Sequence, residues 1–169
     1  MAQLVTNWKK MEFCSETFSN QWFSATFAWT DGLLTGIDLS ADIRPSTQPK
    51  SPFGAELRRI VAEYDRLNAD QWPDLPLARG SLTPFTWNVL KNLRLHAPRG
   101  TFTTYGKLAT LSGSPRAARA VGSVMARNPW PLVYPCHRVL TGNMGIGGFG
   151  PGIALKQTLL TLEKVRFPV

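Results

Sequence analysis

The sequence predicts an α/β protein in two parts, a small antiparallel sheet with one helix over residues 1–80 and a mostly helical part over residues 81–169. Three observations predict it. Phe23–Trp29 alternates in polarity, turns at Asp31-Gly32 and returns through Leu33–Leu39, the pattern of a β-hairpin. After position 52 the apolar residues recur at helical spacing. Charge is also segregated: residues 1–80 hold eight Lys and Arg against ten Asp and Glu, whereas residues 81–169 hold eleven against Glu163 alone. The chain as a whole carries a formal +8 over 169 residues, so its second part has the field that draws a polyanion. A hydrophobic fraction of 43% with six tryptophans supplies core material. No apolar run reaches the roughly eighteen residues of a membrane span, so no membrane partner is expected.

Taken in order, residues 1–22, with Trp8, Phe13, Phe18 and Trp22, read as packed extended segments without a clear period. Cys14 has no CxxC partner and no nearby histidine, and reads as a thiol without function. Two cysteines and no export signal point to a reducing, cytoplasmic setting. Residues 40–52 form a loop, and Phe53, Leu57, Ile60, Val61, Tyr64 and Leu67 place a helix over 53–68. The prolines of Trp72–Leu77 forbid a continuous helix, so this stretch to Ser81 reads as the connector. Thr83-Pro84 supplies an N-cap and first-turn proline for a helix burying Phe85, Val89, Leu90 and Leu93, ended by Pro98 and Gly100.

Tyr105–Leu111 forms a short helix after Thr104 and breaks at Gly113; Ser114-Pro115 then caps a second helix over Arg116–Arg127. That second helix sets Arg116 and Arg119 among Ala117, Ala118, Ala120, Gly122 and Ser123, small residues that let a helix backbone come close to a partner. Helix, glycine turn and helix read as a helix-turn-helix. A plain helical hairpin fits the spacing equally well, and the positive field favours nucleic acid.

Asn128-Pro129-Trp130-Pro131 stops that helix and leads, by an extended approach through Leu132-Val133-Tyr134-Pro135, to Cys136-His137-Arg138-Val139-Leu140. A thiol beside an imidazole is a candidate nucleophile, because the thiolate is the reactive form and the imidazole can take its proton. A buried structural cysteine is the alternative. Gly142–Gly152 holds six glycines in eleven residues. It lacks the Lys-Ser/Thr end of a phosphate loop, and reads either as a surface excursion or as a wall of bare backbone against a planar ligand, with Phe149 for stacking. A last helix runs from about Ile153 to Val165 and carries Glu163. That acid reads either as an arginine's partner or as the group that orients His137 in a nucleophile–base–orienter set.

Pro135-Cys136-His137-Arg138-Val139, preceded by Arg119-Ala120-Val121-Gly122 and Asn128-Pro129, resembles the O6-alkylguanine-DNA alkyltransferases. The resemblance runs from about Thr83 to Glu163 and takes in Thr104–Ala109, Gly147-Gly148-Phe149 and Lys156. It implies a ribonuclease-H-like N-terminal part and a protein that flips an O6-alkylated guanine, with O4-alkylthymine a second candidate, out of duplex DNA. Cys136 would take the alkyl group once and irreversibly, without a cofactor. His137 would receive the thiol proton through a water, with Glu163 as its partner and Asn128 bracing the turn. Tyr105 would rotate the nucleotide and donate to the leaving guanine, while Arg119 would fill the gap in the stack. The second helix would enter the minor groove, with Thr104, Arg116, Ala117, Ala118 and Ser123 at the DNA. Pro131, Val139, Phe149, Gly150 and Lys156 would shape the pocket. A monomer is expected, with cooperative packing along DNA left open. Phe149 stands where the family usually has Tyr, and two Cys with two His cannot rebuild the zinc site of some members, so no metal is expected. A Cys–His hydrolase is disfavoured because adjacent residues contact each other awkwardly, and a non-catalytic DNA binder by Cys136 itself.

Overall fold

The computed structural model describes residues 12–166. It divides into two compact units, one reaching to Leu67 and including Gln71–Ala78, the other comprising Asn68–Asp70 and the chain from Arg79 onward. The stretch read as a connector, Trp72 to Ser81, is therefore split: its residues to Ala78 fall in the first unit, where Leu77 pairs with Leu34, and Arg79–Ser81 fall in the second.

In the first unit β1 (Cys14–Ser19), β2 (Ser24–Thr30) and β3 (Leu33–Ser40) form an antiparallel sheet in that order. Asp31 and Gly32 both take positive φ, 50° and 74°, as the two-residue turn requires. β1 does have period two, with Cys14, Glu16 and Phe18 buried. The alternation was hidden because one inward position is an acid, while Phe13 is exposed. Trp8 lies outside the described residues. Helix α1 (Gly54–Ala62) buries Leu57, Ile60 and Val61 and stops before the expected 68, tightening into a 3₁₀ turn at Tyr64–Arg66. Phe53 stacks on Trp29 at 5.8 Å, and Tyr64 meets Phe23 edge to face at 5.2 Å. Position 54 must be glycine-like, because a Cβ there would sit 2.5 Å from Glu16 Oε2.

In the second unit α2 (Pro84–His96) starts as its sequence dictates: Thr83 Oγ1 accepts the Thr86 N–H at 3.1 Å and Pro84 takes the first turn. Then follow β4 (Thr103–Thr104), α3 (Tyr105–Leu111), α4 (Ala118–Ala126), β5 (Val139–Leu140) and α5 (Ile153–Leu162). Helix α4 begins two residues later than expected, because Ser114–Ala117 closes a turn (Ala117 N–H to Ser114 O, 2.9 Å) and no side chain caps the helix. α5 ends at Leu162, which leaves Glu163 as its C-cap. Leu140, Leu160 and Val165 pack together with Phe102 and Ile146 against them. No helix among the described residues is long and apolar enough to cross a membrane.

Candidate active site

β4 and β5 are two residues each and pair in parallel, Thr103 with Val139 and Thr104 with Leu140. This short ladder does much of the positioning. Thr104 Oγ1 accepts the Lys107 N–H at 3.2 Å and so caps α3, which makes Tyr105 its first residue. On the other strand, Cys136–Arg138 form a 3₁₀ turn directly ahead of Val139. The approach to that turn is not extended, contrary to the sequence reading. Residues 131–133 turn, Leu132 takes a positive φ of 71°, and every residue from Pro131 to Leu140 is buried. Such a conformation persists only when its surroundings impose it. Asn128 does so, donating from Nδ2 to the Tyr134 carbonyl at 2.7 Å and accepting the Trp130 N–H at 3.1 Å.

Cys136 and Tyr105 line one cavity of about 170 Å³. Gly122, Met125 and Ala126 of α4 form another wall, and Gly148, Phe149 and Gly150 of the glycine-rich loop a third. Bare backbone matters here: a Cβ at Gly147, whose φ is +68°, would come within 3.3 Å of the Tyr105 hydroxyl. The Phe149 ring meets His137 edge to face at 6.4 Å. Pro131, Val139 and Lys156, expected in the pocket, are buried but not among its lining residues. Lys156 Nζ donates to the carbonyls of Val139 (2.7 Å) and Gly148 (3.3 Å), so it ties the glycine loop to β5 from behind. Gly122, Met125 and Ala126 were not expected in the pocket from sequence, although their i, i+3, i+4 spacing on one helix face is the signal that finds them.

The electrostatics around Cys136 are closely determined. Burial pushes its thiol up from the usual range, offset in part by Asn128 and the charge of Lys156. Burial also holds His137 below the usual imidazole range, against the pull of Glu163. His137 Nε2 lies 2.9 Å from Glu163 Oε1, while its buried Nδ1 has no hydrogen-bond partner among the described residues. With His137 neutral, Nε2–H donates to the carboxylate and Nδ1 keeps a lone pair. Burial alone would raise Glu163, but His137 and Arg138 outweigh it and hold the carboxyl well below its usual range. Both sequence readings of Glu163 therefore describe real contacts, since Arg138 donates to it from Nε at 2.6 Å and from Nη2 at 2.8 Å. Arg99 Nη1 adds a further contact at 3.5 Å. Lys156 is pushed down to about 8 by burial, with Cys136 opposing the shift. Burial, and then Cys136, push the Tyr105 hydroxyl up, so it stays a donor at neutral pH.

On the outer face of α4 and its leading turn, Arg116, Arg119 and Ser123 are exposed, with Ala117 and Ala118 half-buried beside them. Arg119 is not part of the cavity lining.

Comparison with known proteins adds to this geometry. Residues 84–165 match the family model described as 6-O-methylguanine DNA methyltransferase, DNA binding domain. A methylated-DNA–protein-cysteine methyltransferase of Mycolicibacterium paratuberculosis is 42% identical over 148 residues, 85% of this chain and 87% of the relative. The protein of that name from Thermococcus kodakarensis is 39% identical over 132 residues, 78% and 69% of the two chains. The solved O6-methylguanine methyltransferase of Mycobacterium tuberculosis superposes with a TM-score of 0.70 at 31% identity, covering 90% of this chain and 93% of that one. The OGT of the same organism in complex with DNA gives 0.68 at 32% identity over 88% and 91%. With a thiol, an imidazole and a cavity at its centre and relatives of this extent, the chain is a transferase and belongs to the methylated-DNA–protein-cysteine methyltransferase family.

Proposed function

We propose that Cys136 is the methyl acceptor and that each molecule acts once, on O6-alkylguanine in duplex DNA, with O4-alkylthymine a second substrate. The observation that carries this reading is Cys136 in the wall of a cavity beside His137, whose Nδ1 is unpartnered and whose Nε2 is held by Glu163. The resting thiol is protonated, so attack begins with transfer of its proton, through a water, to the imidazole. The thiolate sulfur then bonds to the alkyl carbon as the carbon–O6 bond breaks. The electron pair leaves on the guanine, which takes a proton from the Tyr105 hydroxyl while the proton on His137 returns through water to the tyrosinate. Cys136 is left as a thioether that nothing in the cavity is placed to cleave. Tyr105 donates to the departing base, and Phe149 and the loop backbone flank it. Asn128 braces the cysteine's turn, and Pro131, Val139 and Lys156 support the pocket from behind.

A base buried in a duplex cannot reach this cavity, so the nucleotide is flipped out. α3 and α4 act as a helix-turn-helix whose small-residue face lies in the minor groove. Arg119 fills the vacated stack, Arg116 and Ser123 contact the backbone with Thr104, and Ala117 and Ala118 permit close approach. The first unit is ribonuclease-H-like in build, and the working form is a monomer. Mass analysis tests the central step. After incubation with duplex DNA holding O6-methylguanine, the tryptic peptide containing Cys136 should gain one methylene, once per protein. Repeated turnover, or a modified Cys14 peptide instead, would overturn the reading; Cys136→Ala should bind DNA and transfer nothing.

A further inference from the structure

We infer that Asp70 is a positioning residue for the proton acceptor: by engaging Arg138 on the side away from Glu163, it leaves Glu163 available to His137. The inference rests on His137 serving as the acceptor proposed above.

The geometry is specific. Asp70 Oδ2 accepts from Arg138 Nη1 and Oδ1 from Nη2, both at 2.7 Å, a fork-to-fork ion pair. Oδ2 also accepts the Arg99 backbone N–H at 3.1 Å, which fixes the carboxylate's orientation. Ala97 O accepts from Nη1 at 2.9 Å. With the two bonds to Glu163, all five guanidinium N–H groups of Arg138 are engaged. His137 and Arg138 Nη2 share one oxygen, Glu163 Oε1.

The charges around His137 are Glu163 in direct contact, Arg138 and Lys156 nearby, Cys136 as its proton donor, and Arg99 beyond Glu163. Without Asp70, the guanidiniums of Arg99 and Arg138 face a single carboxylate, and the imidazolium must form beside an uncompensated positive charge. Arg138 would also have donors to spare for Oε1, the oxygen His137 uses. Both effects weaken the base, and both act through Arg138 rather than on substrate.

The test compares full-length wild type with Asp70→Asn, measuring methyl transfer from an O6-methylguanine duplex against pH at temperatures where circular dichroism shows both folded. The Asn variant should lose about tenfold in rate at neutral pH, with duplex affinity unchanged. The acid limb of its profile should be displaced by about one pH unit toward acid values, because a weaker base stays neutral to lower pH. Its His137 imidazole N–H resonance, separable because His96 is the one other histidine, should move as the bond to Glu163 weakens. A lower melting temperature with an unmoved pH profile and resonance would make Asp70 a structural brace only and overturn the inference. If the Asn variant does not fold, Asp70→Glu, which displaces the carboxylate by one methylene, should move the profile the same way by less; an unmoved profile there also overturns it. Failure of wild type to methylate Cys136 would instead sink the proposed function.

Discussion

Glu16 in the first unit and Glu163 in the second are both buried acids, and their partners differ in kind. Glu16 accepts from neutral donors: Trp29 Nε1 at 3.1 Å, the Lys50 N–H at 2.8 Å, and the N–H and hydroxyl of Ser51. Those bonds clasp the loop before α1 to β1, and no titratable side chain among them changes state. Glu163 faces two guanidiniums and an imidazole. Burial alone therefore does not mark a carboxylate as functional. A buried acid ringed by fixed neutral donors holds architecture together, whereas one that shares an oxygen between a permanent cation and a titratable ring also sets that ring's proton affinity.

The comparison breaks most visibly at Glu163. Glu163→Gln removes one partner of a buried ion pair and should cost about 3–5 kcal/mol of stability, read from chemical denaturation. Its methyl-transfer rate should fall at least about a hundredfold with duplex affinity kept, the size of a lost general base. Stability without rate loss would reduce Glu163 to the kind of role Glu16 has. Wild type should also lose stability as pH falls through about 6.5, where an unfolded histidine binds a proton that buried His137 refuses. It should lose more below about 4.3, where the unfolded Glu163 carboxyl protonates before the folded one. In the Gln variant that second loss should shrink.

Glu16→Gln sharpens the contrast from the other side. It should destabilise the protein by about 1–3 kcal/mol, by turning an amide NH₂ toward donors, while the folded fraction keeps its transfer rate. A large change in rate would mean that the first unit's clasp bears on the chemistry. The smallest effect is expected at Thr104→Ala, which removes the cap of α3 for about 1 kcal/mol. Because that cap fixes the residue opening the helix, transfer should slow only slightly, and a Thr104→Ser variant should restore both quantities.

Local signals were the legible ones. Asp31-Gly32 announces its hairpin, Thr83-Pro84 its helix start, and Tyr105–Leu111 its length, because each depends on dihedral preferences and capping within a few residues. The contact between His137 and Glu163 was foreseeable because one acid stood among eleven cations. What escaped was decided at a distance. β1 hid its period behind Glu16, whose partners lie on β2 and in the loop before α1. The turn before Cys136 depends on Asn128 bonds and a positive φ at a leucine, which no propensity predicts. Asp70 meets Arg138 across 68 residues of sequence, beyond any local pattern.

The guanidinium of Arg138 has a consequence for the order of folding. It joins Asp70, Ala97 and Glu163, closing chain loops of 68, 41 and 25 residues through a single side chain. Contacts so far apart in sequence pay their loop-closure entropy late. Until these segments converge, Glu163 is not held against His137. The contact on which the proposed transfer depends thus belongs only to the finished fold, and a chain opened at any one of these segments holds Cys136 without its oriented imidazole.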